Sequence, residues 1–118
     1  MISNLYERQK MIKENIYRNK TCAELRIENA GEEVRLAGWV DTIRKLGGIT
    51  FLTLRDHYGI TQVLVRDDKM LENINKETVI SVLGTVIERE SKNPKMETGD
   101  IEIDCKEIQV LGKCNPVL

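Results

Sequence analysis

Four residues of this 118-residue chain have the side chains needed to read a flat, hydrogen-bonding ligand: Phe51, Arg55, Gln62 and Glu102. An exposed ring can stack on an unpaired base for about 1–3 kcal/mol. Amide, guanidinium and carboxylate groups can then match its Watson–Crick edge. The chemistry requires all four on one surface, and the residue alternation puts them there. In 49–56, Leu52 and Leu54 share one face while Phe51, Thr53 and Arg55 share the other. In 60–66, Val63 and Val65 oppose Gln62, Leu64 and Arg66; in 100–111, Ile101, Ile103 and Cys105 oppose Glu102, Asp104 and Lys106. With the aliphatic faces turned inward, the four polar and aromatic candidates share an outer wall. A lone Phe has a second reading, because large apolar side chains are usually buried: Phe51 can instead pack under a loop or against a preceding helix.

The elements that must position these residues follow from the same periodicity. Residues 3–16 read as a modest amphipathic helix, with Leu5, Ile12 and Ile16 on one stripe. In TCAELRIENAG, Thr21 with Glu24 forms a capping-box pattern and Gly31 can end a short helix. From there the period changes to two. Strands are predicted over 33–44, 49–56, 60–66, 78–90 and 100–111, with Gly38 as a bulge or bend in the first and Gly59 free to take positive φ in the DHYG turn. RDDKMLENINKE supplies a short helix or helical turn between the third and fourth strands. This order predicts a mainly β protein, a five-stranded Greek-key barrel of the OB type preceded by one or two helices. Composition alone leaves an SH3-like barrel open; the intervening helix and the long, bent first strand favour OB. The domain boundaries expected are a helical extension over 1–16, the barrel over 17–112, and the start of a hinge or linker over 113–118.

Charge and cysteine content narrow the function classes. The net charge is −1, but residues 35–66 hold five basic residues against two acids and the remainder is correspondingly acidic; local charge, not the sum, steers a polyanion. The three cysteines are unclustered and the chain has a single histidine, so a zinc site is excluded and free thiols fit a reducing cytoplasm. MISNLYERQKMIKENI has no long apolar run, which excludes a signal peptide or membrane span there. Several residues have plain structural readings. His57 flanks a turn without a neighbouring nucleophile; Asp56, Asp67 and Asp68 suit turns or caps; Gly47-Gly48 lacks phosphate-loop context; Trp39 fits core packing; Arg89, Lys92 and Lys95 are either a solvated face or an RNA contact.

These words also carry a family likeness. EEVRLAGWVDTIRKLGGITFLTLRDHYGITQVLV, followed by the G-T-V, K-N and T-G-D-I-E elements of residues 77–103 and preceded by TCAELRIENAG, strongly resembles the anticodon-binding domain of bacterial-type aspartyl-tRNA synthetases. The likeness covers roughly residues 17–118, and the LRD–YGI–TQV combination fits better than the words of the asparaginyl and lysyl relatives. The resemblance implies recognition of the GUC or QUC anticodon loop of tRNA-Asp. Phe51 would stack on the central uracil and Gln62 would bind its edge. Arg44 and Glu102 would address the first base, a guanine or its modified form, and Arg89 and Asn93 the third base or nearby backbone. Lys45 and Arg55 would join them as RNA-contacting cations. Where relatives often have three consecutive cations after GWV, this chain has Thr42 and Ile43, so weaker backbone affinity is expected.

The resemblance further implies a segment of an aspartate–tRNA ligase that attaches aspartate to tRNA using ATP. ATP and magnesium would belong to a catalytic domain absent from these residues, and this segment would bind no cofactor and catalyse nothing alone. Its partners would be the tRNA-Asp anticodon stem-loop and that catalytic domain. The parent enzyme would be a homodimer, and the isolated domain a monomer or weak dimer. Two other functions compete. A sequence-neutral single-strand binder predicts several aromatics along a basic groove, against a single Phe and 4% aromatics here. A protein-interaction barrel leaves the shared surface of Phe51, Gln62 and Glu102 without a purpose.

Overall fold

The computed structural model describes residues 18–112. Five strands, β1 (Glu33–Leu46), β2 (Ile49–Arg55), β3 (Ile60–Val65), β4 (Val79–Glu88) and β5 (Ile101–Gly112), close into a barrel in the order β1-β2-β3-β5-β4. All neighbours are antiparallel except β3 and β5, which pair in parallel through Val63↔Ile103 and Leu64↔Asp104. The expected OB architecture is therefore present, and predicted strand limits differ from the observed ones by one or two residues.

Alternation produces the closure. Leu36, Val40, Leu52, Leu54, Val63, Val65, Ile80, Val82, Val86, Ile101 and Ile103 are sealed inside. Burying each such aliphatic side chain stabilises the fold by about 1.5–3 kcal/mol. The 14-residue β1 serves two neighbours, pairing with β4 over Glu33–Trp39 and with β2 over Trp39–Leu46. Its register slips between Val40 and Thr42, so the bulge lies at Asp41 and not at Gly38. Gly38 is needed for a different reason: a Cβ there would sit 2.2 Å from the Arg55 carbonyl oxygen, where β1 bends across β2. The turn expected at Gly47-Gly48 is formed, with Gly47 at φ 62°. Gly59 does not take the positive φ predicted for it; it lies against Ala23, whose Cβ would be 2.9 Å from an added one.

The helical expectations resolve into less regular structure. The predicted helix over 3–16 lies outside the described residues, as does the expected hinge over 113–118. Within the described residues the helical content is two 3₁₀ turns, Ile27–Asn29 and Asp68–Leu71. Glu24 does reach back to the Thr21 N–H at 2.6 Å, as half of a capping box does. No α-helix follows, because longer-range bonds hold the segment. The Cys22 N–H donates to Asp56 (2.8 Å), the Cys22 carbonyl accepts from the Thr61 hydroxyl (2.7 Å), and Cys22 and Leu25 join the core. Asp56 also accepts from the Tyr58 and Gly59 N–H groups at 2.8 and 2.9 Å, and Asp67 caps the second 3₁₀ turn at the Lys69 N–H. Asp56 and Asp67 thus have the turn and cap roles expected of them.

Candidate nucleic-acid interface

The outer face of β2, β3 and β5 is set by two rungs of the sheet. Phe51 pairs with Leu64, which pairs with Asp104; Thr53 pairs with Gln62, whose β5 neighbour is Glu102. Leu52, Leu54, Val63, Val65, Ile101 and Ile103 take the inner face, so their neighbours must point outward. Phe51 is half-buried and not part of the core, which answers the question of its orientation. The Arg44 guanidinium, one strand over at the paired position on β1, lies 5.3 Å from the ring centroid. Gln62 donates from Nε2 to Glu102 Oε1 at 2.7 Å.

These groups enclose a cleft of about 380 Å³, within the range of small-ligand sites. Phe51, Leu64 and Gln62 belong to its sheet side, Arg44 comes from β1, and Arg89 comes from the segment that follows β4, where its N–H donates to the Asp100 carbonyl at 2.9 Å. Its charged lining is balanced, with Arg44, Arg66 and Arg89 against Glu88, Glu90 and Glu102. Arg66 is held by Asp104 at 3.0 Å and Glu88 pairs with Lys92. Arg44 and Arg89 form no ion pair among the described residues. Such a lining is poor at attracting a polyanion indiscriminately and well suited to base edges, which present donors and acceptors in fixed patterns.

Of the eight residues named from sequence, Phe51, Gln62, Arg44, Glu102 and Arg89 meet in this cleft. The other three do not. Lys45 is exposed on the β1–β2 hairpin, at the position paired with Thr50. Arg55 lies further along the same face, ion-paired with Asp41 at 3.4 Å, and lines a separate hollow of about 290 Å³ beside Tyr58. Asn93 shapes its own loop: its N–H donates to the Gly99 carbonyl and its Oδ1 accepts from the Lys95 N–H, both at 3.0 Å. Glu102 was expected on an exposed wall but is only 8% exposed, covered on one side by the Gln62 amide. Ile49, Leu64, Arg66 and Ile87 line the cleft without having been named as site residues. For Leu64 and Arg66 the signal existed, since alternation places both on Gln62's face.

Trp39, expected in the core, is half-buried outside it, with its ring edge-on to exposed His57 at 5.7 Å between centroids. No group of three metal-ligating side chains exists among the described residues. The described thiols are not poised for chemistry. Burial, and then the Asp56 charge, push the Cys22 thiol far above its ordinary range; burial and the Asp104 charge push Cys105 up to about 12. Both are protonated at neutral pH, and the thiolate is the nucleophile. No helix among the described residues is long and apolar enough to cross a membrane.

A small closed barrel with a base-sized cleft on its β2–β3 face has the architecture of an OB nucleic-acid binder. Residues 34–111 match the tRNA anticodon family model, described as an OB-fold nucleic acid binding domain, and the chain belongs to that family. Within that family, the chain is similar over most of its length to a segment of aspartate–tRNA ligases. It is 49% identical over 98 residues to the aspartate–tRNA ligase of Mesoplasma florum, covering 81% of this chain and 17% of that protein. It is 48% identical over 103 residues to the aspartate–tRNA ligase of Thermosipho africanus, covering 83% of this chain and 18% of that one. Among solved structures, asparaginyl-tRNA synthetase from Pyrococcus horikoshii is similar with a TM-score of 0.66 and 27% identity, over 81% of this chain and 23% of that one. The chain thus spans under one-fifth of the length of these two bacterial relatives.

Proposed function

We propose that the chain reads the GUC or QUC anticodon loop of tRNA-Asp as the anticodon domain of an aspartate–tRNA ligase. The observation that carries this reading is the convergence of Phe51, Gln62, Glu102, Arg44 and Arg89 on one charge-balanced cleft. Phe51 stacks on the central uracil and Gln62 binds its edge. Glu102 accepts from the N1–H and N2–H groups of the first-position guanine, a pair of donors that the acceptor-only oxygens of an ionised carboxylate match. Arg44 accompanies that base, and Arg89 meets the third base or its phosphate. Asn93 acts by shaping the loop that carries Arg89, Lys45 reaches only the flanking backbone, and Arg55 stays with Asp41 outside the cleft.

ATP-dependent attachment of aspartate, with its magnesium, belongs to the catalytic domain of the whole enzyme, a partner of this domain in the cytoplasm. The chain alone binds RNA and catalyses nothing. The parent enzyme is a homodimer and this domain by itself a monomer or weak dimer. The test is a binding series with a seven-base anticodon loop reading GUC and its single-base variants, over a range of salt. Selective binding of GUC is expected. Equal binding of every loop would favour a sequence-neutral binder, and no binding at low salt would favour a protein-interaction barrel.

A further inference from the structure

We infer that Glu102 is a positioning residue for Gln62: it fixes the polarity of the Gln62 amide and thereby decides which pyrimidine the middle-base position accepts. The inference rests on the proposed reading that a base stacked on Phe51 meets Gln62. A glutamine amide carries an oxygen acceptor and an NH₂ donor of nearly equal size, so its shape alone does not say which end faces a ligand. Here the neighbour decides. An ionised carboxylate only accepts, so the group within 2.7 Å of Glu102 Oε1 has to be the Gln62 NH₂. Turning the amide over would set two oxygen acceptors against each other. Glu102 is 8% exposed, so water has little room to relieve that clash. The parallel pairing of β3 with β5 sets the two residues side by side on the outer face.

With its nitrogen engaged, the amide offers its oxygen to a base. At the middle of a pyrimidine edge, uracil has the N3–H donor and cytosine the bare N3 acceptor. An oxygen aimed there takes uracil and repels cytosine; an NH₂ aimed there would do the reverse. The uracil preference at this position is therefore written partly in a residue that also addresses the neighbouring base. The two base readings are coupled through one hydrogen bond.

The test compares affinities for seven-base loops reading GUC and GCC, by fluorescence anisotropy, for wild type and for Glu102→Gln. A glutamine at 102 can donate or accept, so it no longer dictates the Gln62 amide. The first base is the same in both loops, so its contribution cancels in the ratio. Wild type is expected to prefer the uracil loop by about 10-fold or more, the size of one good base contact. Glu102→Gln should reduce that ratio below about threefold. The exchange variant Gln62→Glu/Glu102→Gln, which places an acceptor-only group at 62, should restore it. If Glu102→Gln weakens both loops equally and keeps the ratio, the inference fails while the anticodon reading stands. If wild type shows no uracil preference, both fail. Should the variant not fold, NMR of the wild-type Gln62 side-chain NH₂ decides: slow solvent exchange supports the bond to Glu102, and fast exchange overturns it.

Discussion

Phe51→Ala is the most direct test of the cleft as a base-reading site. The ring is half-buried outside the core, so its removal should leave the barrel folded. Stacking of one base on an aromatic side chain is worth about 1–3 kcal/mol. The Arg44 guanidinium already lies 5.3 Å from the ring centroid, a contact worth about 0.5–1 kcal/mol at an exposed site, and an incoming base must displace or share it. The net loss expected is about 1–2 kcal/mol, or about 5- to 30-fold in affinity. Anisotropy titration of a labelled anticodon stem-loop at fixed salt measures it, with circular dichroism to check folding. Phe51→Tyr should bind nearly as wild type and Phe51→Leu should fall between. An alanine variant that is folded and binds within twofold of wild type would refute the stacking argument. So would an equal loss of affinity for a stem lacking the anticodon bases.

The remaining expectations follow from the same geometry. Because Arg44 and Arg89 are the cleft cations without an ion pair among the described residues, two or three phosphate contacts including Lys45 should give a slope of log affinity against log salt of about −1.4 to −2. Arg89→Ala should make it shallower by about 0.7 and Arg55→Ala, held by Asp41, should not change it; a wild-type slope steeper than about −4 would contradict the balanced lining. Asp56→Ala strands three N–H donors and should cost about 2–4 kcal/mol in urea denaturation, with Asp56→Asn costing less; a loss under about 1 kcal/mol would show that the turn does not depend on it. Cys22 and Cys105, the thiols among the described residues, have folded pKa values above their ordinary value of 9.0, so the unfolded chain loses those protons first as pH rises. Stability from this source is complete below pH 9 and declines between 9 and about 12, and Cys105→Ser should flatten part of the decline in melting temperature; an unchanged profile would refute the assignment.

The sequence carried the strands because each buries one face, and a one-residue slip would turn Leu52, Leu54, Val63 and Val65 into solvent. The same pattern carried Phe51 and Gln62, whose outward direction follows from their neighbours' inward one. Local signals failed where distant partners decide. Thr21 and Glu24 spell a helix start, yet Asp56 and Thr61, more than thirty residues away, hold Cys22 in a turn. Arg55 reads as an RNA contact until Asp41 is seen beside it across a β1 bulge that no residue type announces. Asn93 reads as a ligand group until its loop folds back on it. The burial of Glu102 depends on the parallel β3–β5 pair, and pairing between strands forty residues apart leaves no periodic trace in either of them.

That pair also sets an order of events. The two groups that would judge the first and second letters of an anticodon are carried by the third and fifth strands, and they cannot meet until the fifth strand, last of the barrel in chain order, has been made. A nascent barrel lacking its final strand has the aromatic platform and the Gln62 amide but not the Glu102 carboxylate that accepts from it.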